Sequence, residues 1–170
     1  MSRQVQTLQP WRWLGVPALA AIAATVVFAA PFRLFGLGLP EPVFPMVLAF
    51  SWAVIRPSIL GPLTLFFVGL FHDLFWGGPL GLWALALIAA YGLALSGRSL
   101  MAGQGGAVMG AWYVAACCLA LGVAYLFATL VAHEQPNILG VIWQLVWTAA
   151  LYPAVYRMVD QFEDADVRFR

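Results

Sequence analysis

The chain has 170 residues, 64% of them hydrophobic and 9% charged, with a formal net charge of +1 and a mean hydropathy of +0.90. A soluble globular domain carries about a quarter charged residues and covers its surface with polar groups, so this composition excludes one. It implies an all-α integral membrane protein, a single polytopic domain over residues 1–170 with no stretch long enough for a second, soluble domain.

Six apolar segments emerge against the roughly 20 residues needed to cross a hydrocarbon core. They lie at about 14–32, 39–55, 59–75, 80–95, 107–131 and 138–159. The first is too long for the apolar core of a secretory signal and is read as a retained span. Its Ala20, Ala21, Ala23 and Ala24 offer a thin face for helix contact. The second is short, begins after Pro40-Glu41-Pro42, and is expected to be tilted or partly embedded. The third ends just beyond Asp73. The fourth is expected to start at Pro79 or Leu80, because proline suits a first helical turn. The fifth, the longest, opens with Gly106-x-x-x-Gly110 and contains the adjacent Cys117 and Cys118, read as small buried hydrophobes rather than a disulfide. The sixth contains Gln144, expected to bond across helices, and Pro153, tolerated where neighbours satisfy the freed carbonyl. The tail from Asp160 to Arg170 is expected to be solvated and frayed.

The basic charge is entirely arginine. With six spans and a cytoplasmic N-terminus, Arg3, Arg12, Arg56, Arg98, Arg157, Arg168 and Arg170 fall inside and Arg33 alone outside, as the positive-inside bias requires. Both termini are therefore expected in the cytoplasm. Trp11, Trp13, Trp52 and Trp112 then fall near the inner boundary and Trp76 and Trp143 near the outer one, an anchoring pattern that needs no ligand.

The segment Gly69 to Leu85, GLFHDLFWGGPLGLWAL, holds the one carboxylate between Glu41 and Glu134. An ionisable group at the bilayer centre costs about 2.5 kcal/mol or more, so Asp73 is expected near a helix end with a purpose. Either it caps the turn through Gly77-Gly78-Pro79 and the helix that follows, or it serves a partner or an ion. Gly77, Gly78 and Gly81 would let backbones approach closely there. His72 is adjacent to Asp73, but consecutive helix residues do not face each other, so the two form no ready dyad. An intramembrane hydrolase built on them has no positioned nucleophile. His72 and His133 are the only histidines, and His133 and Glu134 read as loop residues. No zinc-site or G-x-S-x-G spacing occurs. The residues argue for a non-enzymatic protein with no metal, no cofactor and no nucleic-acid partner.

This segment resembles the family of MreD, the rod shape-determining membrane protein of bacteria. The resemblance is carried by Gly69-Leu70, Asp73-Leu74, Gly78-Pro79-Leu80-Gly81-Leu82 and Ala84-Leu85, on consecutive helices joined by a tight turn. Chain size, six short-looped spans and a cytoplasmic tail are also similar. Family members often have histidine where Trp83 stands, or a long aliphatic residue where His72 stands. The resemblance implies a scaffold in the bacterial inner membrane that binds MreC and works beside MreB and the RodA–transpeptidase elongation complex. It also implies a compact six-helix bundle similar to the substrate-binding (S) subunits of energy-coupling-factor vitamin transporters, in contact with membrane lipid. Such a capture subunit is the alternative function, and it predicts an enclosed pocket near the outer face lined by tryptophans and a few polar side chains.

Overall fold

A computed structural model describes residues 14–28, 41–131, 133 and 135–167, and every element among them is helical. The order is α1 (Val16–Phe28), α2 (Pro45–Ile55), α3 (Leu60–Trp76), α4 (Leu82–Met101), α5 (Gly106–Leu130), α6 (Ile138–Ala149) and α7 (Tyr152–Val167). Residues 29–32 of the first expected span, residues 39–40 of the second, Trp11, Trp13, Arg33 and Glu134 lie outside the described residues.

Among the described residues, three helical stretches are long and apolar enough to cross a membrane: Leu82–Met101, Gly106–Leu130 and Ile138–Gln161. The helices Val16–Val27, Pro45–Ile55 and Leu60–Trp76 are apolar but shorter.

α2 is short because prolines bound it. Pro45 opens it, where the missing N–H is no loss. Arg56 leaves helical geometry at φ −149°, ψ 89°, as a residue before proline tends to do. Short as it is, α2 is largely enclosed: Met46, Leu48, Ala49, Phe50, Trp52 and Ala53 are all buried. Trp52 is only 1% exposed, so it is a core residue and not the interfacial anchor expected from its position. Trp76 and Trp143 are 46% and 45% exposed.

α4 packs against α5, α3 and α2, and α2 also packs against α7. Gly97 is one reason α4 and α5 lie close. A Cβ there would come within 2.6 Å of the Trp112 ring. Gly106 and Gly110 likewise face the rings of Tyr156 and Tyr152, so the G-x-x-x-G pattern receives α7. The buried face of α1 is Ala18, Ala21 and Thr25, continued before the helix by Leu14, while Ala20 and Ala23 are exposed. The Nε of Arg98 donates to the carbonyl of Val54 (2.9 Å). This puts the C-terminal ends of α2 and α4, with Arg56 and Arg98, at one end of the molecule.

Within the sixth segment the helix is interrupted at Ala150 and Leu151, although Ile138–Gln161 is together long and apolar enough to cross a membrane. Pro153 has no N–H to give the carbonyl of Ala149, and the chain turns through Ala150 and Leu151 before α7 begins. The break frees the Thr148 carbonyl, which accepts from Leu151 N–H (3.1 Å) and from the Tyr113 hydroxyl (2.9 Å). Beyond the break, Val155 and Val159 are buried and the helix runs on to Val167. The tail expected to fray from Asp160 is therefore helical over most of its length.

Two polar groups of α6 hold the entry to α2. The Thr148 hydroxyl accepts from Val43 N–H (3.1 Å), and Gln144 Nε2 donates to the Glu41 carbonyl (3.3 Å). Thr148 is fully buried. Thr148→Val should therefore lower stability by roughly 1–3 kcal/mol, the cost of a buried donor left without a partner. Thermal unfolding in detergent micelles should show this loss, with Thr148→Ser close to wild type.

Candidate functional site

The α3–α4 junction is built by its own sequence. α3 ends at Gly77, which takes a left-handed conformation (φ 66°) at no side-chain cost. The Gly78 N–H then donates back to the Asp73 carbonyl (2.9 Å), the six-residue closure of a Schellman ending. Pro79 and Leu80 form a turn closed by Leu82 N–H on the Pro79 carbonyl (3.3 Å).

Helix α4 begins later than the proline suggested. Gly81 sits at φ 96° as its N-cap, outside helical space, so the first helical residue is Leu82. Glycine has no side chain to cap with, and the cap comes from α3. Asp73 Oδ2 accepts from Gly81 N–H (2.8 Å), and Oδ1 accepts from Trp83 N–H (2.9 Å). Both carboxylate oxygens thus satisfy donors of the first turn of α4. Negative charge is favoured there by the helix dipole as well. Asp73 is 1% exposed, and these two bonds offset part of the cost of its burial.

Gly69 completes the junction from below. A Cβ at that position would lie 2.4 Å from Ala84 Cα and 2.5 Å from Ala84 N. Only glycine lets α3 approach the first turn of α4 closely enough for Asp73 to reach. Close approach is therefore the work of Gly69. At Gly77 and Gly81 an added Cβ would meet nothing within 4 Å, so the expectation that these two bring backbones together is corrected: they supply positive φ. Gly78 is similarly open, with its nearest neighbour at 4.0 Å.

Beside this junction lies a cavity of about 280 Å³ lined by Thr25, Glu41, Pro42, His72, Trp76, Trp83 and Gln144. It brings together the end of α1, the approach to α2, the end of α3, the start of α4 and the middle of α6. His72 is 5% exposed, its ring 5.0 Å from that of Trp83 and 6.3 Å from that of Trp76. Its Nδ1 has no hydrogen-bond partner. His72 and Asp73 turn to different tasks, one toward the cavity and one toward the α4 backbone. Among the described residues no group of three or more His, Cys, Asp or Glu side chains could hold a metal ion.

Sequence reasoning placed Gly69, Asp73, Gly77, Gly78, Pro79 and Gly81 in one structural unit, and the fold joins them. It treated Gln144 as a helix-bonding residue and Trp76 as an anchor, and it missed the grouping of Trp83, His72, Glu41 and Thr25 around one space. Nothing in their spacing signals it, since they come from four separate places in the chain. His133, read as a loop residue, lies between α5 and α6 with a positive φ of 55°. No family model, curated protein or solved structure matches this chain.

Two substitutions separate these roles. Asp73→Ala strands two buried donors and should destabilise the protein by roughly 1–3 kcal/mol for each, with Asp73→Asn intermediate because its amide oxygen replaces one acceptor. Gly69→Ala should cost about 1–3 kcal/mol by overpacking, whereas Gly78→Ala should leave the unfolding midpoint unchanged. Equal midpoints for Gly69→Ala and Gly78→Ala would contradict the assigned contact.

Proposed function

We propose that this protein is a non-enzymatic scaffold of the MreD type in the bacterial inner membrane, with six membrane-embedded helical segments and both termini in the cytoplasm. The observation that carries the reading is the joining of Gly69, Asp73, Gly77, Gly78 and Gly81 into one α3–α4 junction. All of these but Gly77 are positions on which the resemblance rests. In this reading α6 and the first part of α7 form the sixth segment, and the enclosed α2 needs no full spanning length because protein surrounds most of it. The α3–α4 junction faces the outside, and Arg56 and Arg98 face the cytoplasm in keeping with the positive-inside bias.

The scaffold presents a rigid outer end. Asp73 holds the turn, and the exposed Leu74, Trp76 and Leu80 around it form an apolar rim on which MreC docks. Through MreC the protein works beside MreB and the RodA–transpeptidase complex in lateral-wall synthesis. In cells lacking the endogenous gene, Asp73→Ala should reduce both MreC recovery and rod shape, while Gly78→Ala at matched membrane abundance restores both. Full MreC recovery and rod shape with Asp73→Ala would refute the role given to the junction.

One observation favours a second reading, a substrate-capture subunit similar to those of vitamin transporters. The cavity has two tryptophans and several polar groups in its wall, as such a subunit requires. Protein purified from native membranes should then retain a small molecule detectable by native mass spectrometry.

A further inference from the structure

The lining of the cavity has a definite chemical bias. Among the described residues its charged member is Glu41, and neither Arg nor Lys is among those that line it. The other polar groups offer mainly lone pairs. The Thr25 hydroxyl spends its proton on the Ala21 carbonyl (2.9 Å), leaving its oxygen to accept. Gln144 uses Nε2 on the Glu41 carbonyl, which leaves Oε1 available. His72 Nδ1 is buried without a partner, and neutral imidazole carries one bare nitrogen that accepts. A buried polar atom left alone is costly, so such an atom in a cavity wall points to a ligand. Trp76 and Trp83 complete the wall, and indole is the ring that attracts cations most strongly.

We infer that this cavity binds a protonated primary amine, held by the Glu41 carboxylate, His72 Nδ1 and Gln144 Oε1 between the indoles of Trp76 and Trp83. An ammonium has three donors and no acceptor, the complement of the three acceptors named. An anionic ligand would meet an acidic residue and, among the described residues, no cation there. The volume suits a headgroup or small amine rather than a larger molecule, being just below the usual range of ligand pockets. The amine belongs either to an aminophospholipid headgroup or to a free small molecule. With a lipid headgroup the inference stands apart from both readings above; with a free amine it rests on the second and names its ligand class.

The full chain in nanodiscs distinguishes the two sources. In one arm, discs of mixed phosphatidylethanolamine and phosphatidylglycerol are examined by native mass spectrometry for lipid retained on the protein. In the other, n-butylamine is titrated into discs of phosphatidylglycerol alone, followed by tryptophan emission and calorimetry, with n-butanol as the uncharged control. Preferential retention of phosphatidylethanolamine identifies a headgroup site. Saturable n-butylamine binding without lipid preference identifies a free-amine site. In either case Glu41→Gln should weaken binding by about tenfold, the loss of a charge-assisted contact. His72→Phe should weaken it as well. Glu41 is only half-buried, so its variant tests the site without testing the fold, and equal unfolding midpoints verify this. The inference is overturned if neither amine source binds, if phosphatidylglycerol is preferred, or if Glu41→Gln binds as wild type does.

Discussion

The carboxylate of Asp73, bonded by both oxygens to the first-turn amides of α4, is the interaction on which this structure turns. A helix start leaves N–H groups without partners. Gly81 cannot cap its own helix, and no Ser, Thr, Asn or Asp stands nearby in the chain to do so. The acid reaches across from the preceding helix instead. Two backbone N–H groups meet the acid, and α4 gains a cap it could not supply locally.

That arrangement sets what is around it. It requires Gly69, since any side chain there would push α3 off the Ala84 backbone. It requires left-handed geometry at Gly77 and Gly81 so that the chain can reverse within a few residues. It also orients the neighbours of Asp73. With the carboxylate turned to α4, His72 one residue earlier points along another direction, into the space walled by Trp76 and Trp83. The junction and the cavity are thus two consequences of one helix ending, and the scaffold and ligand readings draw on adjacent faces of it.

Much of this was legible in the residues. An acid two residues from the end of an apolar run, followed by Gly-Gly-Pro, signals a capped turn by chemistry alone, and the partners of Asp73 are the expected kind. The helices along the chain were legible from hydropathy. Their ends were not always: proline at 79 suggested a helix start that the conformation of Gly81 delays, and Pro153 divides a segment that hydropathy reads as continuous. The burial of Trp52 was hidden because hydropathy cannot tell a helix wrapped by protein from one facing lipid. The cavity was hidden for a different reason. Its lining residues share no periodicity, and tertiary packing alone brings Thr25, Glu41 and Gln144 to His72.

The most direct test of the central claim is site-resolved amide hydrogen exchange on the full chain in nanodiscs, comparing wild type with Asp73→Ala. The account predicts that Gly81 and Trp83 are protected in the wild type and lose protection in the variant, while the middle of α5 exchanges as before. Unchanged protection at Gly81 and Trp83 after removal of the carboxylate would show that something else caps α4, and the account would fail.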